Sequence, residues 1–190
     1  MLRLVRDKHS DMVNPLSSKP FRYKKIFIVT LVAALVAVIY FSRSGNKEPD
    51  RCIAGDCLNG IGTLIVQDGE YTGQFVNGQF NGQGVLNVVD GRKYEGGWLN
   101  DMPHGTGTQI NPDGTIYAGE WQAGKYDGQG TLTTADGGSY VGEWQADLPH
   151  GQGTLTKADG SKYIGRFRNG KPAGQGLLVD PDGKETTVNM

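Results

Sequence analysis

Histidine and cysteine are scarce in this chain: there are three and two of them among 190 residues. So few of the side chains that commonly act as acid, base, nucleophile or metal ligand leave little material for elaborate chemistry. No Gly-Lys-Ser/Thr, His-Glu-x-x-His or Gly-x-Ser-x-Gly run is present, so the signatures of a phosphate-binding loop, a zinc protease and a nucleophile elbow are missing. Gly-x-Gly recurs, but never between a strand and a phosphate-binding helix. Asp180-Pro-Asp182-Gly183 lacks the further spaced acidic ligands of a calcium loop. No enzyme activity, no cofactor and no metal are expected.

Charge of one sign is also lacking overall, since the net value is −1, but the charges are segregated. Residues 1–25 carry Arg3, Arg6, Lys8, Lys19, Arg22, Lys24 and Lys25 against Asp7 and Asp11. From residue 51 onward sixteen acidic side chains face ten basic ones. The basic and acidic ends therefore suit different surroundings.

Only one long apolar run separates them, Ile26 to Phe41, which has no charged residue. At 1.5 Å per residue a helix of this length spans about 24 Å; Lys24, Lys25 and Arg43 can snorkel, and Tyr23 and Tyr40 suit the interfaces. A transmembrane helix over 26–41 is expected. The alternative is a cleaved signal peptide, against which stand the missing Ala-x-Ala site and the long basic stretch ahead of the apolar core. The Lys and Arg excess places 1–25 in the cytoplasm and the remainder on the outer side, in the periplasm if the membrane is a bacterial inner membrane.

Of the two cysteines, Cys52 lies within the linker 42–56 and Cys57 begins the segment that follows it. In an oxidising compartment a small disulfide loop is the favoured reading; free thiols and a redox or metal pair are the alternatives.

What the chain has in abundance is glycine: 30 residues, of which only Gly45 precedes residue 50. They are organised by a repeat of fixed length. Five copies begin at Tyr71, Tyr94, Tyr117, Tyr140 and Tyr163 and fill 71–93, 94–116, 117–139, 140–162 and 163–185, after a half copy over 57–70 and before a tail over 186–190. A period in this range marks a solenoid or strand array. Within a copy the alternation has period two: Tyr at position 1, Gly at 3 and an aromatic at 5 (Phe75, Trp98, Trp121, Trp144, Phe167) share one face. A second run, Gly-x-Gly-x-Leu, alternates likewise, with Gln109 replacing Leu in the second copy. Asn-Gly and Asp-Gly pairs supply the positive φ of tight hairpin turns. The fold class is therefore all-β, an elongated single-layer antiparallel sheet of stacked hairpins with eleven or twelve strands, about 50–55 Å long.

The pattern Tyr-x-Gly-x-Trp-x-x-Gly-x-x-x-Gly-x-Gly followed by Asp-Gly resembles the MORN (membrane occupation and recognition nexus) repeat. The resemblance implies an elongated, groove-like sheet lined with aromatics and used in scaffolding, self-association and sometimes lipid contact. The second and fourth copies depart from it: Asn100-Asp101 and Ala146-Asp147 replace the Gly turn, with Pro103-His104 and Pro149-His150 following. They look like a variant of the family's turn, and the two histidines, about 20 Å apart, cannot share a metal.

Tyr94, Trp98, Tyr117, Trp121, Tyr140 and Trp144 form an aromatic stripe, read first as core and second as a binding surface. Glu120 and Glu143 read as a solvated opposite face. The function expected is a membrane-anchored scaffold that binds an envelope protein or a second copy of itself. Glycan recognition through the aromatic face is the alternative, and phospholipid headgroup binding a further one that the acidic balance disfavours, as it does nucleic acid.

Overall fold

The computed structural model describes residues 50–190. The basic segment 1–25 and the expected span 26–41 lie outside the described residues. Among those described, no helix is long and apolar enough to cross a membrane.

The described residues run back and forth through thirteen strands that form one antiparallel sheet in sequence order. They are β1 (Arg51–Gly55), β2 (Ile61–Val66), β3 (Gly69–Val76), β4 (Gln79–Val88), β5 (Lys93–Leu99), β6 (Met102–Ile110) and β7 (Ile116–Gln122). There follow β8 (Lys125–Thr133), β9 (Ser139–Gln145), β10 (Leu148–Thr156), β11 (Lys162–Arg168), β12 (Lys171–Val179) and β13 (Glu185–Asn189). Each repeat is one hairpin, as its period-two pattern requires. The count is one or two above the expected eleven or twelve. β1 forms within the segment read as linker, and β13, which starts at the last residue of the fifth copy, runs through the segment read as tail.

The hairpin tips explain their own residues. Both central turn residues have positive φ, as in Asn77 (52°) and Gly78 (75°) or Asn169 (50°) and Gly170 (77°), the geometry that matches strand twist. In the second and fourth copies an aspartate takes the glycine's place at Asp101 (66°) and Asp147 (69°).

Pairing aligns the repeats so that like positions form rows. Tyr117 lies between Gln109 and Leu132, and Gly119 between Gly107 and Gly130. The same register carries a row of glycines from Gly62 to Gly176 across the sheet. The row is steric in origin. A Cβ on Gly119 would stand 2.5 Å from the Gly130 Cα, and one on Gly130 would run into the Tyr117 ring. Glycine thus lets each tyrosine lie down on the sheet.

A lone sheet has no second layer to bury its apolar face, and here the rings themselves form that layer. Tyr71, Phe75, Tyr94, Trp98, Tyr117, Trp121, Tyr140, Trp144, Tyr163 and Phe167 are all buried and belong to one cluster with Phe80, Tyr126, Leu86 and Leu132. Burial of each such side chain contributes about 1.5–3 kcal/mol.

Candidate functional site

The aromatic face is the natural candidate, and its geometry is a continuous edge-to-face ladder. Tyr71 meets Trp98 at 5.3 Å, Tyr94 meets Trp121 at 5.0 Å, Tyr117 meets Trp144 at 5.4 Å and Tyr140 meets Phe167 at 4.9 Å between centroids. Each of these contacts joins one repeat to the next. Within a repeat, Tyr71–Phe75, Tyr94–Trp98, Tyr117–Trp121, Tyr140–Trp144 and Tyr163–Phe167 are also edge to face. Edge-to-face and stacked ring pairs contribute about 0.5–1.5 kcal/mol beyond their burial.

The polar atoms of these rings are spent as well. The Tyr94, Tyr117 and Tyr140 hydroxyls donate to the carbonyls of Gly97, Glu120 and Glu143, each at 2.9 Å. The Trp98, Trp121 and Trp144 indoles donate to the carbonyls of Gly84, Gly107 and Gly130 in the neighbouring hairpin, at 3.2, 3.1 and 3.2 Å. Desolvation raises the phenol pKa of Tyr71, Tyr94, Tyr117, Tyr126 and Tyr140 above its ordinary value. The structure therefore brings all six candidate residues, Tyr94, Trp98, Tyr117, Trp121, Tyr140 and Trp144, into one row and buries every one of them.

Two further rings belong to the ladder and escaped the sequence pattern. Phe80 stacks on Tyr71 at 3.7 Å and Tyr126 on Tyr117 at 3.6 Å. Both occupy position 10 of their repeats, where the second, fourth and fifth copies carry Pro103, Pro149 and Pro172.

Position 10 also accounts for the variant turns. In every repeat the second turn residue donates its N–H to the position-10 carbonyl of the preceding hairpin: Gly78 to Leu58, Asp101 to Phe80, Gly124 to Pro103, Asp147 to Tyr126 and Gly170 to Pro149. Phe80 and Tyr126 have an N–H of their own facing that turn. Asp101 Oδ1 accepts the first at 2.8 Å and Asp147 Oδ1 the second at 2.9 Å. Pro103 and Pro149 have no N–H, and Leu58 already donates to Asp56 at 2.8 Å; the turns facing these three carry glycine. Aspartate thus appears only where a backbone donor needs an acceptor.

Glu120 and Glu143, expected as a solvated face, also serve the backbone. Glu120 accepts from the Gln129 N–H at 2.9 Å and Glu143 from the Gln152 N–H at 2.8 Å, across the register shift that each hairpin makes there. His104 and His150 are partly buried on separate hairpins, and among the described residues no three His, Cys, Asp or Glu side chains stand close enough to hold a metal ion. Cys52 and Cys57 are joined in a disulfide, and Cys57 packs against the core.

Buried rings whose hydroxyls and indoles are bonded to backbone, repeated from hairpin to hairpin along one sheet, define a β-hairpin solenoid. The chain belongs to the MORN-repeat family: the family model matches residues 71–91, 94–116, 117–139, 140–162 and 163–185. A comparison with curated protein sequences finds no match. Among solved structures, the chain is similar to the TCP domain of SAS-4 (dCPAP) from Drosophila melanogaster, recorded in complex with a proline-rich motif of Ana2 (dSTIL). The two are 13% identical with a TM-score of 0.36 over 77% of this chain and 94% of that one. So low a score carries no argument about function.

Proposed function

We propose that this MORN-repeat chain is a membrane-anchored, non-enzymatic scaffold that binds another envelope protein or a second copy of itself on the periplasmic side of a bacterial inner membrane. The observation that carries the protein-binding reading is that the six candidate rings are closed against one another, with their hydroxyls and indoles bonded to backbone. Glycan binding would need such rings presented to solvent. Among the described residues, what stays open is the outer sheet face, with Val141 and Ile164 exposed, and the edges at β1 and β13. Unpaired strand edges are recognition surfaces for extended chains. The anchor and the periplasmic side are supported by the apolar run 26–41, the basic segment before it and the Cys52–Cys57 disulfide.

In-cell crosslinking followed by purification of the intact chain tests the scaffold reading. Recovery of an envelope protein or of a crosslinked pair of chains is expected; recovery of neither sinks it. Thiol labelling of Cys52 and Cys57 in intact cells tests the side. A cytoplasmic, permanently reduced pair would overturn the orientation.

A further inference from the structure

β13 continues the repeat's register while lacking its residues. Thr186 falls one repeat length after Tyr163 and pairs with Leu178, as Tyr163 pairs with Leu155. Val188 pairs with Gly176, as Gly165 pairs with Gly153. Met190 exchanges both backbone hydrogen bonds with Gly174 at 2.9 Å, at the place where Phe167 lies opposite Gly151. Thr186, Val188 and Met190 thus stand where interior strands carry Tyr, Gly and Trp or Phe.

The substitutions are mutually consistent. In interior repeats a Cβ at position 3 would meet the backbone of the following strand and the hydroxyl of the repeat's own tyrosine, 2.5 and 2.7 Å away at Gly119. Among the described residues no strand follows β13 and threonine at position 1 brings no such hydroxyl, so Val188 fits and packs against the core. The interactions this strand makes are nevertheless poorer than those of its interior counterparts. Met190 is 45% exposed, whereas Phe167 is 2% exposed. No indole among the described residues reaches the Gly176 carbonyl, whereas Gly84, Gly107 and Gly130 each accept one; Gly153, facing the interior Phe167, shares that lack, so the ring contact is what sets β13 apart. Among the described residues Tyr163 meets no ring from a following repeat, although Tyr71, Tyr94, Tyr117 and Tyr140 each do.

From this mismatch we infer that the C-terminal edge of β12 is a receptor for an extended aromatic segment of the form Tyr-x-Gly-x-Trp, supplied by a partner protein, and that β13 is the displaceable strand covering it. An incoming segment of that pattern would pair with the Gln175–Val179 backbone, set its indole on the Tyr163 edge and donate to the Gly176 carbonyl. Strand addition of this kind takes affinity from backbone bonds and specificity from alternate side chains. The occupant is a partner rather than a second copy, because this chain's own Tyr-x-Gly-x-Trp strands are all held between two neighbours. The inference names the partner chemistry of the proposed scaffold and rests on that reading.

The test uses the full chain in detergent micelles and a fluorescent peptide copying Lys93–Leu99. The peptide is expected to bind and to speed amide exchange over 185–190. A chain ending at Lys184 should bind it about ten- to a hundredfold more tightly, because a site covered most of the time lowers apparent affinity by the fraction open. The triple variant Thr186→Tyr/Val188→Gly/Met190→Trp should no longer bind it, since its own strand then has the full pattern. Equal affinity in all three chains, or no binding to the shortened one, overturns the inference. Should the shortened chain fail to fold, retention of binding by the triple variant overturns it alone. None of these failures touches the scaffold reading, which the crosslinking decides.

Discussion

Gly124→Asp should be damaging although the same replacement is native one repeat earlier and one repeat later. Gly124 has φ 77° and Asp101 has φ 66°, so the turn geometry accepts either residue. What differs is the residue across the junction. Asp101 faces the Phe80 N–H at 2.8 Å, whereas Gly124 faces Pro103, which has none. A carboxylate at 124 would sit half-desolvated beside a carbonyl without a donor, costing about 1–3 kcal/mol. For a domain of this size that lowers the Tm by roughly 3–8 °C. Adding Pro103→Phe creates the donor and a ring able to stack on Tyr94 as Phe80 stacks on Tyr71, so the double variant should recover most of the loss. Chemical and thermal denaturation of the four chains forms a double-mutant cycle. A coupling energy near zero would refute the donor–acceptor explanation of the aspartate turns.

Asp147 has its pKa raised, first by desolvation and further by Asp127, against lowering by the Tyr126 N–H and Lys125. A carboxyl whose folded pKa lies above its unfolded one contributes stability that is full below the unfolded pKa and lost as pH rises through the folded one. Asp147→Asn, which keeps a carbonyl acceptor, should therefore be at least as stable as the native chain at neutral pH. Its advantage should vanish on acidification, as thermal melts across pH 3–8 would show. Trp121→Phe removes the donor to the Gly107 carbonyl while keeping a ring that Phe75 and Phe167 show is acceptable at this position; a loss of about 1–2 kcal/mol is expected in denaturant unfolding. Gly130→Ala drives a methyl into the Tyr117 ring and should cost about 3 kcal/mol or more, with loss of near-ultraviolet tryptophan dichroism.

The legible part of this fold is the part that repeats within a single strand. Tyr at position 1 and the aromatic at position 5 announce period two, and all ten of those rings are buried on one face. The burial of Phe80 and Tyr126 was not legible, because position 10 carries no periodic cue and alternates with proline. The aspartate turns were visible only as departures. Their partners lie 21 residues away, at the start of the preceding hairpin's second strand, and become neighbours only once the sheet register exists. Glu120 looked solvated for the same reason, since Gln129 reaches it only across a register shift. β1 and β13 lack the aromatic signature altogether and form because an adjacent strand offers its edge. The extent to which the six candidate rings cover one another depends on lateral tiling between repeats, which spacing along the chain does not report.

The pairing of aspartate with a donor and glycine with proline makes the repeats unequal, and it predicts an inverted order of damage on deletion. Removing residues 94–116 joins Phe80 to the turn at Ala123-Gly124 and leaves the Phe80 N–H buried without an acceptor. Removing 94–139, twice as much sheet, joins Phe80 to Ala146-Asp147 and restores the bond. In the same way, removal of 117–139 sets Asp147 against Pro103, while removal of 117–162 sets Gly170 there and leaves no mismatch. Each hairpin pairs in the sheet with its sequence neighbours, so the loss from a shorter array is the loss of whole repeats and their interfaces. The mismatched junctions carry an added penalty of about 1–3 kcal/mol. Compared per remaining repeat, the chains lacking two repeats should unfold at higher denaturant than those lacking one. Amide exchange at the new junction would locate the fault: fast at Phe80 when 94–116 is missing, slow again when 94–139 is missing. Equal protection in both would show that the aspartates are tolerated at these turns rather than required by them.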